Sequence, residues 1–528
     1  MANALMLPIL IPMVTGALLL VFRPSDRNRK WINGVAVLGI LAGVIFVGNM
    51  VWEQGIVVLK LGNWEPPFGI VFAVDWLSFY MLFFMNLVAV GVVFYSFFKR
   101  LRGRNESHYF DSLLMFQIAG VNGAVSTGDI FNLFVWYEVM LIASYGLLAQ
   151  GGGKEKLKGI PDYLVINIFS SGLFIASLGL TYASFGTLNM AHIGQMVQMG
   201  YSPPWSTTLA VMFFLVFGTK AAAFPLYFWL FRAYPLASSA VAALLGGLLT
   251  KVGVYSFLRV FPLFFPAEFA SGEVSFLRML FYLVGTASIV FGLAGALSRH
   301  EWKGILSHHI TSQIGYMIAA IGLWTPIAFA ATLFYIVHNT VVKSVLFLIG
   351  GMTEDFTGTT NLEKQSGLIY HIPVIGGLFM IAGLALAGLP PFSGFFAKLS
   401  VFYAAIELGG GWAYFVLAVG AGGGLFTLYS MIKIWRLGFM GEVDESAEGT
   451  QTVHRGLYLG PGLLVLASVG MGLFGGIVFD GAKLAADQLL DQQQYIDSVL
   501  EESPVYQLEP GEYEPKSVDT KGGPGTGH

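Results

Sequence analysis

Polar residues in this chain act mostly as punctuation between long apolar runs. Runs of about 17 to 25 residues, enough to cross a bilayer core as helix, fall near 4–22, 32–52, 71–98, 110–128, 129–150, 163–185, 207–231, 238–260, 276–298, 302–323, 326–350, 372–408, 412–434 and 457–480. The stretch 372–408 counts as one interrupted helix, because Pro390 and Pro391 lie inside it. The pattern predicts an all-α polytopic membrane protein of about fourteen transmembrane helices. Beyond 480 the character changes: Ala482 to Glu501 can form a short amphipathic surface helix. Glu502 to His528, rich in Pro, Gly and Glu, has the composition of a disordered tail.

Two runs contain their own helix breakers. In FLVFGTKAAAFPLYFWL, Phe214 to Leu230, Lys220 sits near the middle and Pro225 follows five residues on. Proline lacks an N–H, so the carbonyl of Ala221 loses its helical partner. In LAGLPPFSGFFAKL, Pro390 and Pro391 free the carbonyls of Leu386 and Ala387, and Lys398 follows. A charged lysine in hydrocarbon costs about 2.5 to 3.5 kcal/mol on insertion scales. A broken helix beside a buried charge is how transporters present carbonyls and a titratable group near the midplane. The two breaks lie five spans apart, and an odd offset reverses orientation. This predicts inverted repeats of five helices each: 110–260 (spans 4 to 8) and 276–434 (spans 9 to 13). The repeats follow a three-helix segment, 1–109, and precede a last span, 457–480, and an extramembrane tail, 481–528.

Further ionisable residues lie inside the runs. Glu138 has apolar neighbours on both sides. Paired with Lys220 it is a candidate proton switch, and the structural alternative is a static salt bridge joining two helices. Lys251, in ALLGGLLTKVGVYSFL, is a second candidate amine, unless it snorkels toward Arg259. His308 and His309 can titrate near neutral pH, but adjacent helical residues point about 100° apart, so at most one faces a shared path. The other reading is structural hydrogen bonding. His338 lies mid-run, and Asn339 and Lys343 share a helical face. Lys398 is the last buried base in chain order. The His-His pair has no carboxylate or cysteine spaced to complete a metal site, so no metal is expected.

Charge fixes an orientation. With the N-terminus outside, eighteen of the 28 Lys and Arg residues fall in inside loops and six outside, with four within spans, so both termini are predicted outside. Composition agrees: 55% of the 528 residues are hydrophobic and 11% charged, at a net charge of −3. The chain has no cysteine, which excludes disulfide, thiolate-metal and thiol redox chemistry of its own.

At these motifs the sequence resembles the proton-translocating antiporter-like subunits shared by respiratory complex I and the multisubunit Mrp cation/proton antiporters. The resemblance spans almost all of residues 1 to 480 and rests on WYEVML at Glu138, GTKAAAFPLYFWL, LLTKVGVY, LSHHITSQIGYM, HNTVVKSVLFLIGG and LAGLPPFSGFFAKL. It is greatest to the MrpD type, which has no long C-terminal extension and carries lysine in the twelfth helix. It implies a fourteen-helix fold with two inverted five-helix repeats. It also implies a proton path with Glu138 and Lys220 as a coupled pair, Lys251 as relay and Lys398 as terminal switch. The sequence departs from the commoner Tyr-Ser pattern at His308 and His309, which can share the central relay. The expected function is proton translocation within a monovalent cation (sodium)/proton antiporter of the cell membrane, built with other membrane subunits. It is a transporter rather than an enzyme, with lipid, protons and cations as partners and neither cofactor nor nucleic acid. The alternative is a proton-pumping arm of a complex I-like NADH:quinone oxidoreductase.

Overall fold

The computed structural model describes residues 2–64, 68–100, 107–150, 156–270, 274–441 and 453–501. The tail Glu502 to His528, and the loop charges Arg102, Arg104 and Lys154 that entered the orientation count, lie outside the described residues. The fold is a helical bundle. Its N-terminal part comprises α1 (Leu7–Phe22), α2 (Asp26–Gln54), α3 (Trp76–Arg100), α4 (Phe110–Ser126), α5 (Ile130–Ala149) and α6 (Ile160–Phe185). A short α7 (Met190–Gln198) leads to α8 (Ser206–Ala221), α9 (Phe228–Ala233), α10 (Ser239–Leu244), α11 (Thr250–Phe264) and a single turn, α12 (Ala267–Ala270). Then follow α13 (Phe276–Ser298), α14 (Trp302–Leu323), α15 (Pro326–Thr357), the one-turn α16 (Leu368–His371), α17 (Pro373–Ala387), α18 (Ser393–Leu408) and α19 (Gly411–Ile434). The chain closes with α20 (Leu459–Leu473), α21 (Gly475–Leu490) and α22 (Gln492–Leu500).

Among the described residues, ten helices are long and apolar enough to cross a membrane. Ser206–Ala221 and Pro373–Ala387 are apolar but shorter, because each stops at its break. The centre is α15, which touches α3, α10, α14, α17, α18, α20 and α21. It and α14 are buried along nearly their whole length, so their polar residues face protein rather than lipid.

Three elements differ from the pattern-based expectation. The run beginning at 71 is not helix at its start. Val71–Val74 pairs antiparallel with Val57–Lys60 as strands β2 and β1, the β-branched VFAV segment suiting a strand. Helix α3 starts only at Trp76, where the Asp75 carboxylate caps it by accepting from the Ser78 N–H at 2.9 Å. The eighth run is helical throughout but carries a π-helical segment, Leu245–Leu249, at its Gly246-Gly247 pair. Finally, α21 runs through residues 480 and 481 without a break. The segment Ala482–Glu501 is therefore the end of α21 plus α22, and α22 packs on α7 and β1, burying Tyr495, Ile496, Val499 and Leu500.

Candidate proton-translocation axis

Both breaks fall where the prolines predict. Helix α8 ends at Ala221, Ala222 takes a left-handed φ of 62°, and helix resumes at Phe228. The loosened backbone largely satisfies itself. The Ala222 N–H donates to the Thr219 carbonyl at 3.1 Å and the Ala223 N–H to that of Gly218 at 2.8 Å. The Trp229 indole N–H adds a bond to Thr219 O at 3.3 Å, and the Ser288 hydroxyl accepts from the Phe224 N–H at 2.9 Å. With those carbonyls occupied, the Lys220 ammonium turns elsewhere. It donates to Ser171 Oγ on α6 at 3.1 Å, and that hydroxyl donates to Glu138 Oε1 on α5 at 2.5 Å. Glu138 and Lys220 are thus joined through a serine rather than in direct contact. Lys220 is buried, whereas Glu138 is half-buried on the flank of the bundle. The Tyr137 ring lies 5.8 Å from the Lys220 Nζ, within cation–π range.

The second break is built differently. Helix α17 ends at Ala387, Gly388 takes φ 89°, and α18 begins at Ser393. The Lys398 ammonium reaches back to the two carbonyls that Pro390 and Pro391 leave free, Ala387 O at 2.6 Å and Leu386 O at 3.3 Å. Its Nζ also sits 5.6 Å from the Tyr316 ring centre. Residue 388 must be glycine for two reasons: the positive φ disfavours side chains, and a Cβ there would fall 2.7 Å from Lys398 Cδ. Gly394 has a similar constraint, since a Cβ would meet Ala385 O and His338 Cε1.

Buried bases lie between the two breaks. Lys251 does not snorkel toward Arg259: it is fully buried, and its ammonium donates to Gly246 O, in the π-helical segment, at 2.6 Å and to Thr250 Oγ1 at 3.3 Å. Lys343 on α15 approaches Leu306 O at 3.5 Å and lies within electrostatic reach of both Lys251 and Lys398. The two adjacent histidines part company. His309 is fully buried, bonds Ser430 Oγ at 2.8 Å and is in electrostatic reach of Lys343 and Lys398. His308 bonds its own helix at Gly304 O and stacks on Phe231, 4.8 Å between centroids, at the α9 side. His338 Nδ1 bonds Ser393 Oγ at 2.8 Å, and Ser393 touches Ser468 Oγ at 3.1 Å. His309 Nδ1, His338 Nε2, both amide atoms of Asn339 and the Thr311 and Thr340 hydroxyls are buried without a protein partner. Buried polar groups without protein partners are exceptional, and they are normally satisfied by water or by a group that titrates.

Sequence reasoning missed two participants. Ser171 is an unremarked serine in an apolar helix, yet it is the bridge between Glu138 and Lys220. Arg259, read as an outside-loop charge, is buried in α11 and forks onto Asp75 with two bonds of 2.7 Å. Burial alone would raise the Asp75 carboxyl, which lies just before α3, but the Arg259 guanidinium holds it below its usual range.

A membrane bundle with two broken, lysine-bearing helices and a line of buried bases between them has the build of an ion-translocating unit. The chain belongs to the family described as NADH:quinone oxidoreductase/Mrp antiporter, TM, matched over residues 127–426. It is 41% identical over 506 residues to the MrpD-type Na(+)/H(+) antiporter subunit of Alkalihalophilus pseudofirmus, covering 95% of this chain and all of that one. To the corresponding Na(+)/H(+) antiporter subunit of Bacillus subtilis it is 34% identical, again over 95% of this chain and 100% of the relative. A chain in the solved Mrp complex from Dietzia sp. DQ12-45-1b superposes with TM-score 0.84 at 28% identity, over 94% of this chain and 99% of that chain.

Proposed function

We propose that this chain is the proton-translocating subunit of a multisubunit monovalent cation/proton antiporter, with sodium as the exchanged cation. It works in the plasma membrane beside other membrane subunits. The observation that carries this reading is the Glu138–Ser171–Lys220 bridge at one helix break, followed by a buried series of bases to Lys398 at the other. The names of the relatives at 41% and 34% identity favour the antiporter over the redox-linked alternative.

In this reading Glu138 and Lys220 form a coupled pair whose proton moves through the Ser171 hydroxyl. Lys251 relays to Lys343, His309 and His338 extend the line, and Lys398 is the terminal switch. His308 serves the α9 side. Each step needs only a few kcal/mol of electrostatic coupling, the usual size of communication between sites. The breaks at Pro225 and at Pro390 and Pro391 keep each lysine beside loosened backbone. Fourteen spans, two inverted five-helix repeats over 110–260 and 276–434, flanking segments 1–109 and 457–480, and both termini outside complete the arrangement. It is supported by the five-span offset of the breaks, by the left-handed residue that ends each first half-helix (Ala222, Gly388), and by the Lys and Arg asymmetry.

The test is cation-dependent collapse of a pH gradient in inverted vesicles carrying the whole assembly. Glu138→Gln and Lys220→Ala should abolish exchange while the assembly forms normally. Full exchange by both variants would overturn the reading.

A further inference from the structure

The described path reaches Lys251 at mid-bundle, and α11 continues from there toward the face that carries the β1–β2 hairpin. Lys251, Tyr255 and Arg259 stand at i, i+4 and i+8, one stripe of one helix, and each is at most 2% exposed. The Tyr255 hydroxyl is a junction. It donates to Val125 O at 2.9 Å, accepts from Arg259 Nε at 3.2 Å, and lies 3.4 Å from Ser78 Oγ. Beside it, Ser256 Oγ is 2.9 Å from the hydroxyl of Tyr137, the residue whose ring faces Lys220. Arg259 is locked to Asp75 and also donates to Ser78 Oγ at 3.1 Å.

Over this pair sits α22, with the Tyr495 ring 5.1 Å from the Arg259 guanidinium carbon. The Tyr495 hydroxyl is buried and has no protein partner. It lies against Gly128, where a Cβ would come within 3.1 Å of it. The next residue, Asp129, is the N-cap of α5 at the rim, and burial pushes its carboxyl up to about 6.

We infer that protons leave the first repeat on the hairpin face, from Lys251 along Tyr255 to the Asp75–Arg259 pair and out past Tyr495 to Asp129. This rests on the proposed function above and adds a direction to it. A purely structural ion pair accounts for Asp75 and Arg259. It does not account for the one-turn ladder that ties them to Lys251, nor for the unpartnered hydroxyl placed between them and a rim carboxyl. Asp75 and Arg259 are positioning residues: they hold the Tyr255 hydroxyl oriented between Lys251 and the rim, while protons hop between hydroxyls and carboxyls.

The test uses the intact assembly in inverted vesicles, with Glu138→Gln as control. Tyr255→Phe keeps the ring and removes only the hydroxyl. It should lower the maximal exchange rate at least tenfold and leave the half-saturating cation concentration unchanged. Asp75→Asn should behave likewise and Asp75→Glu should restore exchange, a rescue that mere packing does not predict. If Asp75→Asn fails to assemble, Tyr255→Phe decides alone. Wild-type exchange by Tyr255→Phe while Glu138→Gln is inactive would overturn this exit route and leave the parent reading standing. Exchange by Glu138→Gln itself would remove both.

Discussion

The two broken helices solve one problem, a lysine held inside a membrane bundle, by opposite means. At the α8 break the backbone closes on itself, and Lys220 finds an acid through Ser171. At the α17–α18 break the backbone stays open, and its free carbonyls are the ligands of Lys398. Among the described residues, no carboxylate lies within ion-pair distance of Lys398. Carbonyl dipoles hold an ammonium without supplying a charge that can itself be neutralised. The proton affinity of Lys220 is therefore set by a partner that can change state. That of Lys398 is set by the neighbouring bases Lys343, His309 and His338. A pair at one end and an unpaired amine at the other give a charge wave somewhere to start and somewhere to stop.

Breaking the pair should have the largest effect: Glu138→Gln or Lys220→Ala is expected to reduce cation-driven proton flux to background in vesicles, with the assembly intact on native gels. Lys398→Met strikes the other break and should also stop flux. It additionally leaves Leu386 and Ala387 O unsatisfied, so the assembly should lose about 1 to 3 kcal/mol of stability by thermal melting. Glu138→Gln, with its half-buried carboxylate, should lose less. Equal losses would erase the contrast between the two sites. Ser171→Ala removes the bridge but neither charge, and a lost interaction of about 1 to 2 kcal/mol corresponds to a roughly 5- to 30-fold slower flux. The histidines give a finer discrimination. His309→Ala should slow flux about tenfold, within the usual range of site coupling. His308→Ala, off the line and stacked on Phe231, should stay within about threefold of wild type, less than 1 kcal/mol of barrier.

Asp129 gives a pH signature outside the membrane spans. Burial raises its carboxyl from 3.8 to about 6, so the fold favours the protonated form. The stabilising contribution is complete below about pH 4 and is lost as pH rises through 6, a swing of about 3 kcal/mol. Asp129→Asn keeps a capping acceptor for the Asn132 N–H. It should therefore raise Tm at pH 8 and leave Tm near pH 4 unchanged.

Much of this was legible before any coordinates. The Pro390-Pro391 pair dictated which carbonyls would be free, and Leu386 and Ala387 are the ones Lys398 takes. Pro225 likewise dictated the end of α8. Both follow from a missing N–H, a local fact that sequence carries. What sequence did not carry was pairing at a distance. Ser171 is 33 residues from Glu138 and 49 from Lys220, and nothing in its own helix marks it out. Arg259 looked like a loop charge because its partner, Asp75, is 184 residues away. The strand at Val71–Val74 was hidden because an apolar β segment leading into an apolar helix shows no change in hydropathy. The Gly246-Gly247 pair did mark the π-helical segment, since two glycines weaken a helix interior.

The most direct test of a titrating acid at the first break is infrared difference spectroscopy of the whole assembly during a pH jump, following the carboxylic C=O band assigned by its loss in Glu138→Gln. A Glu138 that shares its proton with Lys220 through Ser171 should show that band rising and falling with transport, and shifting to a different pH in Lys220→Ala. A Glu138 that stays ionised throughout, with no band in wild type and none in Lys220→Ala, would contradict the coupled pair.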